Sequence, residues 1–396
     1  MGALRRMLRF YTAGESHGQA LVAILVGLPA GLEMDFAYVD RELKRRMGGY
    51  GRGGRMKIER DRAQFLSGVR HGRTIGSPIT VLIENQDWKN WTQAMAVEAT
   101  PEAAALYRPL AQPRPGHADL AGCLKYNLRD ARYVLERASA RETAARTALG
   151  AVARLFLGQF GIEIASHVVQ VGRVQSRSAA PFDAIRSMRD REDIVLNCLD
   201  PEAEARMKDE VDRATQNRDS VGGVFEVVAH GVPAGLGSMA QWDERLDGIL
   251  AQAIASIQAV KAVEIGTGVE GAGQFGSEVH DEIGYDREQS RFTRKSNRAG
   301  GLEGGMSNGE DIVVRGYLKP ISTLRRPLES VDFGTREPVK AAYERSDVCV
   351  VPAAGVIAEA MIGLALARSF LEKFAGDSME ETRRNFTGYQ EQVRRF

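Results

Sequence analysis

The segment Gly27-Leu-Pro-Ala-Gly-Leu32 returns in the second half of the chain as Gly231-Val-Pro-Ala-Gly-Leu236. Each copy follows an apolar run of the kind that forms a buried strand, Ala20–Val26 in the first case and Val224–Ala229 in the second. Each copy also precedes the charged residues and leucine that begin a helix. The recurrence therefore predicts two units with the same order of strand, turn and helix.

A second repeat supports this duplication. The sequence of residues 153–160 returns in altered form at residues 367–374. We predict one domain spanning residues 1–396, made of two related halves at about 1–200 and 201–396.

Long helices and strands are predicted in both halves. Ser139 and Glu142 have the spacing of a capping box, and apolar residues follow at helical intervals. The predicted helices are Ala140–Phe160, Pro201–Gln216, Asp243–Val260 and Gly355–Phe374. The predicted strands are Met56–Gly68, Ile79–Glu84, Ile162–Val171, Ile194–Asn197, Val224–Val232, Ile312–Leu318 and Val348–Val351, besides Ala20–Val26. This mixture predicts a layered α/β fold with helices inside.

Composition excludes several classes of protein. The 396 residues are 43% hydrophobic and carry a net charge of +1, which excludes a mainly disordered chain and a strongly basic nucleic-acid binder. The three cysteines are scattered, and the longest apolar stretch, Ala20–Leu28, is too short to span a membrane. The first residues lack the apolar core of a signal peptide. We expect a cytoplasmic protein with no nucleic-acid or membrane partner.

Arginine dominates the basic residues. Of the 53 basic residues 43 are arginine, and several lie beside glycine, as in Arg45–Arg55. The planar guanidinium binds carboxylates and phosphates through two parallel hydrogen bonds. These loops therefore predict a pocket for an anionic ligand, with a compositional bias of the genome as the alternative explanation.

Two of the six histidines lie in glycine loops. His17 belongs to Gly14-Glu-Ser-His-Gly18, and His117 belongs to Arg114-Pro-Gly-His-Ala-Asp119. Neither has the spacing of a metal-binding pair, so we expect no metal site. Histidine titrates near neutral pH, which suits a proton donor or a phosphate partner. The alternative is that each histidine only orders its loop.

Three motif matches are rejected. The Gly14–Gly18 loop fits G-x-S-x-G, but too little chain precedes it to supply an oxyanion hole and no helix follows it. Gly266–Gly271 fits G-x-G-x-x-G, but no long helix is predicted after it, which excludes a nicotinamide site. The short arginine-glycine loop lacks the spaced aromatic residues of an RNA-binding segment.

The predicted helix start at Ser139–Thr143 adds a feature that favours an anion. Free N–H groups and the helix dipole attract negative charge at such a terminus. Arg137 and Arg141 flank it, so the sequence predicts a bound phosphate or carboxylate there.

Several motifs occur together and in order along the chain. Besides the two histidine loops, they are Tyr50-Gly-Arg-Gly53, Arg137-Ala-Ser-Ala-Arg-Glu-Thr143, Ser296-Asn-Arg-Ala-Gly-Gly301, Lys319-Pro-Ile-Ser-Thr323 and Arg345-Ser-Asp347. This series resembles the chorismate synthase family from about Met7 to Phe374. The resemblance implies a lyase that forms chorismate from 5-enolpyruvylshikimate 3-phosphate by anti-1,4-elimination of phosphate, with reduced FMN as cofactor. It also implies a sandwich of long central helices between antiparallel β-sheets, and a homotetramer.

The resemblance also implies roles for individual residues. His17 lies at the substrate phosphate, His117 lies near the flavin N1 and C2 carbonyl, and Asp347 assists proton removal through flavin N5. The implied flavin contacts are Arg137, Ala138, Ser139, Gln258, Ala259, Gly304, Lys319, Pro320, Ile321, Ser322, Thr323 and Arg345. The substrate-binding residues expected from the matching loops are Ser16, Arg46, Arg52, Arg55 and Arg141.

Two departures from the family pattern stand near these residues. Arg345-Ser-Asp-Val-Cys349 has serine and valine where the family commonly has histidine or asparagine and proline, and Ala138 stands where serine is common. The chain has no nicotinamide motif, so we expect an external flavin reductant. A rival interpretation, a non-catalytic protein that binds phosphometabolites or RNA, explains the arginines but gives no role to His17, His117 and Asp347.

Overall fold

The first predicted strand, Ala20–Val26, forms with those bounds in a four-stranded antiparallel sheet. The strands are β1 (Arg9–Ala13), β2 (Ala20–Val26), β3 (Gln64–Ser67) and β4 (Ile79–Glu84), in the spatial order β1-β2-β4-β3. Alternate residues of β2 and β4 are buried on one face, as expected for a sheet packed on helices. The computed structural model describes residues 7–53, 61–99, 107, 109–176, 180–191, 195–288, 290–344 and 346–396.

A second antiparallel sheet contains five strands. They are β5 (Glu163–Val171), β6 (Val174–Gln175), β7 (Gly223–His230), β8 (Val260–Ile265) and β9 (Ile312–Leu318), in the order β8-β9-β7-β5-β6. When the strands of each sheet are counted along the chain and the short β6 is left out, both sheets have the same spatial order: first, second, fourth, third. Two-stranded ribbons form at Val69–Arg70 with Arg73–Thr74, Ile283–Asp286 with Arg291–Arg294, Leu302–Glu303 with Met306–Ser307, and Glu329–Val331 with Pro338–Lys340.

The helices pack mainly between and beside these sheets. They are α1 (Phe36–Met47), α2 (Asp119–Tyr126), α3 (Arg132–Ala138), α4 (Thr143–Gly158), α5 (Phe182–Ser187), α6 (Pro201–Gln216), α7 (Leu246–Ala255), α8 (Val351–Phe374) and α9 (Met379–Arg395). Single turns of α-helix form at Gly268–Gly271 and Gly276–Val279, and 3₁₀ turns at Trp88–Asn90, Ala140–Glu142, Met188–Asp190 and Trp242–Glu244. The mixed α/β class is thus confirmed.

Several predicted bounds need correction. The predicted strand Val348–Val351 is wrong, because Val351 begins α8 and Pro352 lies in its first turn, where a missing N–H is tolerated. Residues 195–197 form no strand, and residues 56–60 and 194 lie outside the described part of the chain. The helix predicted from Asp243 begins at Leu246, whereas α6 has the predicted bounds.

The two long central helices touch at their backbones. A Cβ atom placed on Gly150 of α4 would lie 2.3 Å from Cβ of Ala360 in α8, so only glycine permits this approach. Helix α4 also packs on β2 and β4, and α8 packs on β5 and β7. Although α8 is long and apolar enough to cross a membrane, 94% of its most apolar window is buried inside the molecule. It is a core helix, and no membrane protein is indicated.

A fully buried carboxylate lies in the middle of α8. Glu359 accepts two hydrogen bonds from the Arg45 guanidinium, both 2.9 Å long, and lies 2.9 Å from Nη1 of Arg154. The amide and hydroxyl of Ser166 in β5 donate to it at 2.9 and 2.7 Å. Arg45 and Arg154 are also bound to Glu42. These bonds join α1, α4, α8 and β5.

This network keeps Glu359 ionised. Burial alone would raise the pKa of Glu359, but the charges of Arg45 and Arg154 lower it well below its usual range. The free energy that this ionised state contributes is therefore present at neutral pH, and it is lost as the pH falls through the lowered pKa.

We expect Glu359→Gln to lower the free energy of unfolding by about 3–5 kcal/mol, because it leaves Arg45 and Arg154 in the interior without their counter-charge. Urea unfolding at neutral pH and fixed protein concentration measures this. The control is Glu372→Gln on the same helix, which breaks a partly exposed pair with Arg368 and should change the free energy by less than about 1 kcal/mol. Equal losses in the two variants would contradict the assigned role of Glu359.

Candidate active site

The first histidine loop, residues 14–18, connects β1 to β2, as its position after a strand predicted. His17 is held by Glu136 of α3: its Nδ1 lies 2.8 Å from Oε1, and its backbone N–H donates to Oε2 at 2.8 Å. The indole ring of Trp91 stacks on the imidazole with centroids 3.8 Å apart. Burial would raise the pKa of Glu136, but the bonds from His17 and Arg132 hold it below its usual value.

The two serines of the site contact each other. The Ser139 hydroxyl donates to Oγ of Ser16 at 3.1 Å, and the Ser16 amide donates to the carbonyl of Glu136 at 3.0 Å. Ser139 also caps the 3₁₀ turn that leads into α4, because its Oγ accepts from the Arg141 amide. The predicted capping box is incomplete: Glu142 accepts from the side chains of Thr12 and Arg146 and does not reach back to Ser139.

Helix α3 ends with Arg137 and Ala138, directly before Ser139. The Arg137 guanidinium donates to Oγ1 and the carbonyl of Thr12 at 2.8 and 2.9 Å, and its side chain is 43% exposed. It therefore lies at the surface beside the serines, where a ligand can reach it.

The second histidine has the same kind of partner as the first. Nδ1 of His117 lies 2.5 Å from Asp119, and Arg114 donates to the same carboxylate from Nε at 2.8 Å. Burial would raise the pKa of Asp119, but the hydrogen bonds from His117 and Arg114 hold it well below its usual range. Arg114 also donates to Oγ1 of Thr323 at 2.8 Å, which joins this loop to the predicted flavin segment.

Asp347 lies against the glycine-arginine loop at residues 50–53. Its Oδ1 accepts from the amide of Gly53 at 2.6 Å, and its Oδ2 lies 3.2 Å from the Arg52 guanidinium. The amide of Val348 donates to the carbonyl of Gly51. Arg52 is thus an ion-pair partner of Asp347, while Arg345 and Arg55 lie outside the described residues.

One short segment joins these three groups of residues. Glu344 accepts from Arg132 at 2.9 Å, and Arg132 also binds Glu136, the partner of the first histidine. The Ser346 hydroxyl donates to the carbonyl of Thr323, the residue bound by Arg114. The next residue is Asp347. Glu344, Ser346 and Asp347 lie within four consecutive positions, 344–347, and consecutive Cα atoms are about 3.8 Å apart, so the contacts of these three residues place both histidine loops near Asp347.

Arg46 and Arg141 share one buried carboxylate at the start of α4. Arg141 donates to Oδ2 of Asp61 at 2.5 Å, and Nη1 of Arg46 lies 3.7 Å from the same atom. Arg46 also donates to Oγ1 of Thr143 and to the carbonyl of Ala140. Cations are unfavourable beside the positive end of a helix dipole, and the Asp61 carboxylate supplies negative charge next to both guanidinium groups.

Other predicted flavin contacts form a connected group. Gln258 donates to Glu142 at 3.4 Å, and Ala259 accepts from the Lys319 amide at 3.0 Å. Ile321 accepts from Ser220, while Pro320 is exposed. Burial and the nearby charge of Lys261 lower the pKa of Lys319. Ser322 and Lys319 lie beside Gly116, because a Cβ there would be 3.5 and 3.6 Å from them.

Gly304 lies apart from this group in its described contacts. It occupies the turn between the ribbon strands Leu302–Glu303 and Met306–Ser307. Its neighbour Gly305 accepts from the amide of Leu246, and Met306 pairs with Gly237. Within the part of the chain that the structure describes, a Cβ atom placed on Gly304 would have the side chain of Met306 as its nearest neighbour apart from the adjacent residues, and none of the loops above would lie within 4 Å of it.

The rejected glycine motif lines a separate cavity of about 430 Å³, with Thr267, Gly268, Gly271, His280 and Arg298 among its walls. Two separate helical turns, Gly268–Gly271 and Gly276–Val279, follow the motif's strand in place of the long helix that a nicotinamide site needs. The arginine and histidine loops are not among the residues that line this cavity.

Sequence reasoning missed the partners of the predicted residues. These are Glu136, Asp61, Trp91, Arg132 and Glu344, together with the role of Asp119. Only Asp119 gave a signal, since it ends the quoted His117 motif. The completed set of cations, histidines and one base-capable carboxylate is suited to bind a substrate with several negative groups and to move a proton.

Comparison with known proteins identifies close relatives over the whole chain. The family model described as chorismate synthase matches residues 8–371. The chorismate synthase of Acidobacterium capsulatum is 63% identical over 395 residues, covering 98% of this chain and 100% of that protein. That of Solibacter usitatus is 62% identical over 390 residues, with 98% and 100% coverage. A crystal structure of chorismate synthase matches with a TM-score of 0.79 and 43% identity, covering 98% of this chain and 99% of that chain.

Proposed function

Since this chain belongs to the chorismate synthase family, we propose that the residues gathered around segment 344–347 form its active site. As a member of that family it is a lyase that converts 5-enolpyruvylshikimate 3-phosphate to chorismate and phosphate, the last step of the shikimate pathway. The observation that carries the site proposal is the convergence of both histidine loops and Asp347 on residues 344–347.

The proposed substrate site uses the buried cations. The substrate has two carboxylates and a phosphate, and Arg46, Arg52 and Arg141 with Ser16 are the residues that bind them, together with the expected Arg55. His17 lies at the phosphate. Negative charge develops on the leaving phosphate oxygens, and fixed cations stabilise it without reorganising.

The proposed cofactor is reduced FMN, and the residues present fit it. Among the described residues, none forms a hydrogen bond with the buried Oε1 of Gln258, and a reduced flavin ring offers N–H donors. Arg137, Ala138, Ser139, Ala259 and Lys319–Thr323 would complete the flavin site, with the expected Arg345 and Gly304, and His117 beside the ring. When bound, reduced FMN supplies the electron chemistry of the elimination and is not consumed overall.

Asp347 is the proposed base. An anti-elimination places the leaving group and the departing hydrogen on opposite faces of the substrate ring, so cations are needed at one side and a proton acceptor at the other. Asp347 lies against the loop at residues 50–53 and accepts a hydrogen bond from Gly53, which fixes the direction of its carboxylate.

The proposed architecture is a layered sandwich made by duplication. Its support is the shared strand order of the two sheets and the equivalent places of α4 and α8 after them. Because β5 (Glu163–Val171) lies in the second sheet, this topology favours a division near residue 160 over one near residue 200. The related halves stay a prediction.

We expect activity to require reduced FMN without consuming it. Photoreduced FMN under anaerobic conditions should support many turnovers, measured as equal amounts of chorismate and phosphate, because the elimination is redox-neutral overall. Oxidised FMN with NADPH alone should give no product, since an external reductant is proposed. Comparable rates under the two conditions would show instead that this chain reduces flavin.

We expect His17→Ala and His117→Ala each to lower kcat by roughly 10- to 10⁴-fold, the range of a general acid–base group, with little change in melting temperature. The control is His230→Ala, which removes a half-exposed histidine paired with Asp311. Its kcat should equal that of the wild type. If activity and melting temperature fell in parallel for His17 and His117, the histidines would be structural.

We expect Asp347→Asn to slow turnover by about 10²-fold or more while substrate and FMN affinities stay nearly unchanged. Asparagine keeps an oxygen that accepts from Gly53 but loses the basic carboxylate. The control is Asp212→Asn, which alters a contact of Tyr50 in the same loop. A rate close to the wild-type value in the Asp347 variant would require another base.

The proposed assembly is a cytoplasmic homotetramer. Its support is the outer face of the first sheet, where Val22, Ile24 and Leu82 are only half-buried and Tyr11 is 61% exposed. The apolar run of β7 (Gly223–His230) offers no such face, because it is covered within the chain, where Val228 packs against α5.

Light scattering at micromolar concentration should give about four times the chain mass of 43.3 kDa, because covering such apolar faces favours association. A mass near that of one chain would contradict this proposal.

A further inference from the structure

The partner of His17 is unusually well defined. Both oxygens of Glu136 are used: Oε1 lies 2.8 Å from Nδ1 of His17, and Oε2 accepts the backbone N–H of the same residue at 2.8 Å. The main chain of Glu136 also accepts from the Ser16 amide. Glu136 thus binds the ring, the backbone and the preceding residue of the histidine loop, although 119 residues separate it from His17.

These bonds determine which ring nitrogen can act on a ligand. The pKa of Glu136 is lowered against the effect of its burial by His17 and Arg132, so its carboxylate is ionised and only accepts hydrogen bonds. Nδ1 must therefore carry a proton that it donates to Glu136. Any action of His17 on a ligand then goes through Nε2.

Further contacts keep Glu136 and the ring in place. Arg132 donates to Oε1 of Glu136 at 3.2 Å, and the side chain of Glu136 is only 1% exposed. Trp91 stacks on the face of the imidazole, and the Arg132 guanidinium lies 5.5 Å from the centre of that indole ring. The hydrogen bond to the Glu136 carboxylate restricts rotation of the His17 imidazole within its own plane, and the stacked indole of Trp91 restricts movement out of that plane.

The other site histidine repeats this arrangement. Nδ1 of His117 lies against Asp119, which is fully buried and is bound in turn by Arg114. In one loop the carboxylate follows the histidine by two residues, and in the other it comes from a distant helix. The same histidine, carboxylate and arginine contacts therefore arise from two different stretches of sequence, which favours a functional requirement for them.

We propose that Glu136 is a positioning residue that fixes His17 with Nδ1 protonated and inward, so that Nε2 is presented to the phosphate of the substrate. This inference rests on the proposed role of His17. Glu136 does not touch the substrate. It acts by holding the tautomer and orientation of the imidazole, as the carboxylate of a Ser–His–Asp triad does for its histidine.

The first test is a double-mutant cycle of Glu136→Gln with His17→Ala. We expect Glu136→Gln to lower kcat while KM stays nearly unchanged. The expected loss is at least about 10-fold, the effect of removing a residue that orients a functional histidine, and at most about 10⁴-fold, the effect of altering the carboxylate of a Ser–His–Asp triad. In the His17→Ala background the same substitution should have almost no further effect. Fully multiplicative losses would overturn the proposal.

Two further variants separate positioning from folding. Glu136→Asp keeps the charge and shortens the side chain, so it should recover part of the kcat lost in Glu136→Gln. Glu204→Gln removes another buried carboxylate that accepts a hydrogen bond from a backbone amide, that of Leu196. Glu204→Gln should alter only stability. An unchanged kcat in Glu136→Gln, or a loss shared by Glu204→Gln, would contradict the assignment.

A spectroscopic readout needs no activity. In protein with Trp88→Phe and Trp242→Phe, the remaining tryptophan is Trp91, whose emission reports the stacked imidazole. Glu136→Gln should change this emission in the same direction as His17→Ala does. Unchanged emission would overturn the proposal. If the wild type formed no chorismate, the proposed function would fail, while the emission would still test whether Glu136 holds His17.

Discussion

A single buried carboxylate, Glu359, determines how the long helices are arranged. A charge in the interior is strongly destabilising unless fixed partners surround it. Its partners come from α1, α4 and β5, and none of these elements can move without removing one of them. The network therefore explains why an otherwise apolar core helix carries a glutamate at its centre. It also holds α1 and α4, the helices whose residues Arg46 and Thr143 meet at the proposed anion site.

The link from this core to the site lies within one turn of α1. Arg45 is bound to Glu359, and the next residue, Arg46, is bound to the carbonyl of Ala140 and the hydroxyl of Thr143 at the start of α4. Adjacent residues of a helix point in directions about 100° apart. One side chain thus anchors the helix in the core while its neighbour supplies a cation to the proposed anion site. The distance between them is fixed by the backbone.

The sequence predicted the elements better than their contacts. The apolar run of β2 and the capped helix α6 (Pro201–Gln216) appear with their predicted bounds, because periodicity and capping are local signals. The strand predicted at Val348–Val351 is wrong, since a short β-branched run fits both a strand and the start of a buried helix. The charged tail after Asp377, left outside the family resemblance, forms a helix at Met379–Arg395.

For the site, too, the sequence predicted individual residues better than their contacts. Motifs located His17, His117 and Asp347, but their partners Glu136 and Arg52 depend on contacts between distant parts of the chain. Ser139 and Glu142 show why even a local pattern can fail. The glutamate has the spacing of a capping box, yet its carboxylate accepts hydrogen bonds from the side chains of Thr12 and Arg146 instead of one from the Ser139 backbone. Such competition is decided only once the fold has brought the residues together.

The cations of the proposed site are held by carboxylates of the protein itself. Arg46 and Arg141 share Asp61, and Arg52 binds Asp347. This pairing does not prevent substrate binding, because a guanidinium has five N–H donors and one carboxylate uses only some of them. It fixes each cation in one geometry before the substrate arrives, so little side-chain entropy is lost on binding. In the proposed site, Arg46 and Arg141 thus lie with Asp61 beside the positive end of the α4 dipole, whereas the proposed base, Asp347, lies against a different loop through its hydrogen bond from Gly53.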